Sequence, residues 1–427
     1  MTTSNVVAFN RSDRWSMGRN EPIAVLDIGT TKMCCLIGQR RSGGGFELLG
    51  AGHQLAEGLR AGEIVDVEAA EASILAVVHE AEQQAGSSLR EVVLGVAGGR
   101  PESHRSTIDI DLDGRSVTAA DLTRALIHAR GEVRAQGFEV LHALPVEVTL
   151  DGGQPLHDPR GMIGRRMRVV VHVVRATAAA VHNLVAAVER CHLGVASVIA
   201  APYSTGLASL SKEEVAQGAL VIDLGGGVTG AARFADGRLQ EVHVIPVGGR
   251  HVTQDLAFGL STGRAQAERL KTLFGSVSSR SGDARQRLEV PGIGDPEDPP
   301  AQIVSRARLT EIMQPRVEEI FQLVRARLAG GQRQVSGGRL VLTGGSSQLE
   351  GIIELAEDVF EMPARLGRAR PFVGRRQLEE ATAGTTAAGL LAWTNRDDGG
   401  LTFQPTRAKP MITARLAKLG QWLRENF

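Results

Sequence analysis

Two hydrophobic rhythms alternate along the chain. Short apolar runs of strand length give way to longer stretches in which apolar side chains recur every three or four positions, which predicts alternating strands and helices. The first run, IAVLDIG, follows Pro22 and returns through Met33–Gly38, a buried strand with its hairpin partner. ELLGAGHQLAEGL (47–59) predicts a further strand and loop, VEAAEASILAVVHEAEQQAG (67–86) an amphipathic helix stopped by Gly86, and EVVLGVAG (91–98) a strand. A block with its own pattern runs to about residue 172: β-like STIDIDL, a helix capped by Thr118, then HALPVEVTL and MRVVVHVV. A helix over 177–192 leads into the strand VASVIAAP. The second half repeats the plan, with LVIDLGGGVTGAARF and GRLQEVHVIPVG as strands, a mostly helical stretch over 251–335, strand–turn–helix in GRLVLTGGSSQLEGIIELAEDVF, and a helix in TTAAGLLAW. Two polar zones break the pattern: 276–300 predicts an extended loop and 395–410 a linker.

The last seventeen residues, MITARLAKLGQWLRENF, have a pattern of their own. Wound at 100° per residue, Ile412, Leu416, Leu419, Leu423 and Phe427 fall within about 80° of arc, with Trp422 at one edge. Arg415, Lys418 and Arg424 lie to the sides or on the polar face. Too interrupted to span a bilayer, this stretch predicts a helix lying flat on an anionic membrane surface, with Trp422 at the headgroup boundary.

Composition narrows the class. At 427 residues the chain is too long for a single core. Hydrophobic content of 42% and charged content of 22% are those of a globular protein, and a formal charge of zero gives no global attraction to nucleic acid. Residues 1–20 show no apolar segment of the kind a signal peptide needs and predict a disordered N-terminus. No run of 18 apolar residues spans a membrane. Cys34, Cys35 and Cys191 read as small buried hydrophobes in a reducing cytosol.

Candidate chemistry comes from a repeat. LDIGTTKMCCLIG (26–38) and VIDLGGGVTGAARF (221–234) each place an Asp at a strand end, a Gly-containing turn, a Thr and a return strand. Backbone N–H groups at such a tip can ring a phosphate, which makes Gly29, Thr30 and Thr31 candidates in the first hairpin, and Gly225, Gly226, Gly227 and Thr229 in the second. Asp27 and Asp223 cannot touch a phosphate directly, but each can hold Mg²⁺ through water. Lys32 offers a direct counter-charge. Two copies facing each other across a cleft would grip one nucleotide's phosphates from both sides. Gly344, Gly345 and Ser346, in a strand–Gly-Gly–helix turn, suit the ribose end, and Glu268 and Lys271 lie one helical turn apart. Scattered His172, His182 and His192 read as structural.

In this order the motifs resemble the actin-like ATPase superfamily, and within it the bacterial cell-division FtsA family. HALPVEVTLDGGQPLHDPRGMIGRRMRVVVHVV (142–174) is similar to that family's inserted subdomain 1C, and EVPGIG, LTEIMQPRVEEIFQLV and LVLTGGSSQLEG follow in the family's order. The resemblance covers roughly residues 20–427. It implies an α/β, actin-like (ribonuclease-H-like) two-lobed ATPase fold. Residues 21–88, 173–203 and 382–394 would form subdomain 1A, 89–172 subdomain 1C, 204–250 and 336–381 subdomain 2A, and 251–335 subdomain 2B. The 395–410 linker and the amphipathic helix 411–427 follow. It also implies ATP and Mg²⁺ as ligands, self-association into a homopolymer, later division proteins as partners of subdomain 1C, and the FtsZ C-terminal peptide docked on subdomain 2B through Arg308 and Arg316.

Three functions share this fold: a membrane-bound adaptor of the division ring, a turnover enzyme such as a sugar kinase or chaperone ATPase, and a PilM-like component of type IV pilus assembly. Fold alone does not choose among them. Where the resembling chaperone segment carries a Glu before a Pro, this chain has Ala201 before Pro202, and no sugar-binding segment is evident. No catalytic residue is assigned, and hydrolysis is expected to be weak at most. The sequence favours an adaptor tethering FtsZ at the division site, on the cytoplasmic face of the inner membrane.

Overall fold

The computed structural model describes residues 21–42, 45–134, 136–293, 301–329, 338–369, 372–373, 384–395 and 400–405. The predicted disordered N-terminus and the amphipathic helix 411–427 lie outside them.

Two sheets organise the chain. The first runs in the order Gly194–Ala200, Glu91–Val96, Ile23–Ile28, Lys32–Arg40, Phe46–Leu55 and Phe372–Val373. Ile23–Ile28 is its pivot, antiparallel to its hairpin partner on one side and parallel to Glu91–Val96 on the other. The second sheet repeats this pivot: Ala219–Leu224 pairs antiparallel with Thr229–Ala235 and parallel with Arg339–Thr343. Asp27 and Asp223 occupy the same place in the two registers, one residue before each strand ends. Parallel strands covered on both faces need near-continuous apolar sequence, as both runs have. Val221 packs into the first lobe's core, while Leu220, Ile222 and Leu224 pack into the second's.

The block with its own pattern forms a third core. Glu102–Asp111, Arg166–Thr177 and Phe138–Leu150 pair antiparallel and carry the helix Ala119–Arg134 on one face. A single bridge, His243 to Glu102, joins this unit to the second lobe's sheet, which thereby reaches nine strands. Glu91–Val96 sits inside the first sheet between Gly194–Ala200 and Ile23–Ile28, so residues 91–96 belong to that lobe rather than to a unit beginning at 89.

Two segments differ from the sequence expectation. The zone 276–300 is not simply a loop: Arg287–Pro291, where Leu288 and Val290 alternate with charged residues, pairs with Ala301–Ser305, which carries the β-branched Ile303 and Val304. Part of the expected linker is also structured. Leu401–Thr402 adds to the edge of Phe138–Leu150, and Phe403 is buried in the first lobe's core.

Candidate functional site

The two hairpin tips touch. A methyl group built on Gly226 would lie 2.3 Å from Thr31 Cγ2, and one on Gly227 would lie 2.5 Å from Thr30 Cγ2. The glycines at the second tip therefore first let it meet the first tip, a closer approach than phosphate access alone would require. Thr30 is buried and its hydroxyl accepts from the Gly62 amide at 2.9 Å, which fixes the tip from below. Arg250, at the start of the helix Gly249–Gly259, donates across the lobes to the Thr30 and Leu59 carbonyls at 3.3 and 3.4 Å. Its amide and that of Gly249 donate to the carbonyls of Gly226 and Gly225.

Behind the tips lie the two carboxylates. Burial, and after it the nearby Asp223 charge, push Asp27 up to about 7. Asp223 is also raised by burial, against hydrogen bonds from Thr386 and Thr205 at 3.0 and 3.3 Å. Two close, desolvated carboxylates that resist ionising together are a site that wants a cation. Among the described residues no three His, Cys, Asp or Glu side chains converge to ligate a metal directly. Mg²⁺ keeps much of its water, so a pair of carboxylates holding it through water fits this donor set.

A second cluster forms the far wall. Lys271 Nζ donates to Glu268 Oε2 at 2.7 Å, Thr253 Oγ1 at 2.9 Å and the Gly249 carbonyl at 3.2 Å. Burial would raise Glu268, but hydrogen bonds from Lys271 and Thr253 outweigh it and hold the carboxyl below its ordinary value, and the charge of exposed Lys32 acts in the same direction. Ser346 closes against this cluster, since a methyl on Gly249 would lie 2.1 Å from its hydroxyl. Gly344 takes φ +87°, and a methyl there would lie 2.3 Å from Asp223 Oδ1, so only glycine fits beside the carboxylate. Gly345 faces open space. The structure thus brings Thr30 and Thr31 against Gly226 and Gly227, gathers Ser346, Lys271 and Glu268 beside Gly249, and sets Gly344 against Asp223, with Lys32 exposed and Gly345 facing open space. Thr229 stands apart: it is fully buried and donates to the Val247 carbonyl at 2.8 Å, pinning the return strand.

With this geometry in view, comparison with known proteins is decisive. A family model described as cell division protein FtsA matches residues 220–389, and one described as the SHS2 domain inserted in FtsA matches residues 98–175. Cell division protein FtsA of Agrobacterium fabrum is 39% identical over 431 residues, covering 96% of each chain. That of Pseudomonas aeruginosa is 32% identical, covering 96% of this chain and all of the relative, and that of Escherichia coli is 28% identical over 413 residues, covering 94% and 97%. The chain belongs to the FtsA family of cell-division proteins. Its fold is actin-like. A PilM–PilN type IV pilus biogenesis complex superposes with a TM-score of 0.62 at 19% identity over 89% of this chain and all of the other, and MreB5 of Spiroplasma citri bound to ADP with 0.55 at 14%, over 88% and 97%.

Within this FtsA-family fold, the residues that sequence reasoning missed are the threonines behind Asp223. Thr205 and Thr386 lie on two helices, Ala201–Ser209 and Thr385–Trp393, and their hydroxyls meet at 2.9 Å. The helices cross so closely that a methyl on Gly389 would lie 1.7 Å from the Ser204 carbonyl. The only signal was the small-residue run in each helix, STG and TTAAG. Ala201, where the chaperone-like segment would carry a Glu, begins the first of these helices and is buried.

Asp27 makes a pH prediction for this FtsA-family protein. It holds its proton more tightly folded than unfolded, so its ionisation costs stability as pH rises from 3.8 to about 7, with no further loss above that. In Mg²⁺-free buffer, Asp27→Asn is expected to flatten the decline in melting temperature between pH 5 and 7. Superimposable profiles for variant and parent would remove Asp27 from the buried pair.

Proposed function

We propose that this chain is an ATP- and Mg²⁺-binding, self-associating adaptor that anchors FtsZ to the cytoplasmic face of the inner membrane and helps recruit later division proteins through the inserted unit at 98–175. Full-length kinship to FtsA proteins supports the division role, and the paired carboxylates behind two touching tips carry the nucleotide role. The division into subdomains 1A, 1C, 2A and 2B is retained, with the first lobe extended through Val96. Likeness to PilM is one of fold at 19% identity and gives the pilus alternative no separate support. The test is co-sedimentation with anionic liposomes and FtsZ, with and without residues 411–427, and with FtsZ lacking its C-terminal peptide. FtsZ should pellet only when both segments are present.

For FtsZ docking we retain the helix Arg306–Ala329, with its two arginines placed differently. Arg308 is half-exposed and pairs with Glu311, at 2.9 Å. Arg316 is held bidentate by Asp255 at 2.6 and 3.2 Å and also pairs with Glu319. Beside Asp255, Phe258 is 90% exposed and lines a hollow with Ile293, an apolar seat that Arg316 adjoins through Asp255. Arg308→Glu is expected to weaken an acidic-and-apolar FtsZ peptide several-fold with little change in melting. Arg316→Glu sets three acids together and is expected to lose stability as well. Fluorescence anisotropy with a labelled peptide decides it: full affinity in both variants moves the docking site elsewhere.

A further inference from the structure

Leu401–Phe403 lies where the two sheets present neighbouring edges. Leu401 and Thr402 pair antiparallel with Ala143 and His142 and form the outermost strand of the nine-stranded sheet, beside Phe138–Leu150. Phe403 then serves both sheets at once. Its amide donates to the Leu141 carbonyl at 3.0 Å, and its carbonyl accepts from the Val198 amide, also at 3.0 Å, on the outer strand of the six-stranded sheet. Its ring is 6% exposed and lies 6.1 Å from the His182 ring. Bare strand edges are places where a chain adds readily, and here the protein's own C-terminal segment has done so. The hold is short: a two-residue strand, the Phe403 ring, Leu401 packed on the inserted unit's core, and the Thr402 hydroxyl 3.4 Å from His142 Nδ1. A pairing this short opens far more easily than a core strand.

We propose that Leu401–Phe403 is a releasable clasp that sets the length of the membrane tether, an inference that rests on reading residues 411–427 as that tether. With the clasp closed, the chain between Pro405 and Met411 reaches at most about 21 Å. That holds the seam between inserted unit and first lobe close to the bilayer and orients the body. With it open, the free chain starts after Asn395 and reaches about 56 Å, and the body swings away. One short segment thus selects between a short, oriented attachment and a long, free one, with the same membrane contact in both.

The test uses the full chain on vesicles of phosphatidylglycerol and phosphatidylethanolamine containing an acceptor-labelled lipid. A donor dye is placed through Asn183→Cys, an exposed position on the helix flanking the seam. The parent is expected to show strong energy transfer, and Phe403→Ala at least a twofold fall with the same fraction sedimented. Phe403→Leu, which keeps an apolar anchor, should restore most of it. Hydrogen exchange in solution reports the clasp itself: peptides covering Val198 and Phe403 should exchange at least tenfold faster in Phe403→Ala, while Ile23–Ile28 stays protected. Faster exchange with unchanged transfer overturns the length role, and unchanged exchange overturns the clasp. Failure of the parent to sediment overturns the tether reading, and the length role with it.

Discussion

Asp223→Ala combined with Gly226→Asp is expected to abolish measurable ATP binding in a protein that stays folded. Asp223 is the carboxylate on which the Thr205 and Thr386 hydroxyls converge, so its removal takes away half of the proposed metal support, while the two hydroxyls keep each other and Thr205 keeps the Ala201 carbonyl as an acceptor. Loss of a partner that holds a metal through water costs on the order of 10–100-fold in metal affinity. Gly226→Asp adds two insults. Its Cβ would fall 2.3 Å from Thr31 Cγ2, forcing the tips apart, and its carboxylate would stand where the phosphates are proposed to lie. The body should survive. Asp223 is desolvated, and burial raises it against the hydrogen bonds of Thr386 and Thr205, so replacing it removes a carboxyl that is costly to bury. Calorimetric titration with MgATP, beside a melting curve, is the measurement. Undiminished affinity in the folded double variant would remove the cleft assignment.

The two hairpins were legible in the sequence because each is local. A strand that must be buried on both faces, an Asp at its end and a glycine turn all lie within about a dozen residues, and the copies repeat. What the sequence did not reveal is tertiary. Thr205 and Thr386 are far apart in the chain and meet only because Gly389 lets one helix sit on the other's backbone. Arg250 carries no motif of its own, and its bond to Thr30 joins residues 220 positions apart. Thr229 was placed in the site by its position in the repeat, yet burial turned its hydroxyl toward Val247. The strand Leu401–Thr402 was hidden by length, since two residues have no period, and its flanking glycines and prolines suggested a linker. EVVLGVAG was recognised as a strand, but the pairing partners that put it in the first lobe cannot be read from its own pattern.

Deleting residues 411–427, or making Trp422→Glu, is expected to release the protein from anionic liposomes and leave its folded body and nucleotide cleft intact. The described residues make up the two lobes and the inserted unit, with three buried cores among them. No described helix is long and apolar enough to cross a membrane. The segment 411–427 has the pattern of an interfacial helix. As a helix it is about 25 Å long, with Ile412, Leu416, Leu419, Leu423 and Phe427 in one stripe and Glu425 as its only acid. Burying that stripe at the interface contributes several kcal/mol at roughly 25 cal/mol per Å², and Arg415, Lys418 and Arg424 add about 1 kcal/mol each against anionic lipid. Together these give stable attachment, while the loss of either the stripe or its aromatic edge leaves only weak electrostatic binding that salt should remove. Trp422→Glu both deletes the headgroup-level ring and places a negative charge against a negative surface, so a large fall is expected from one substitution. Flotation at 50 and 300 mM salt, with ATP affinity and melting measured on the same preparations, separates release from unfolding. A truncated chain that floats as well as the parent at both salt concentrations would end the tether reading.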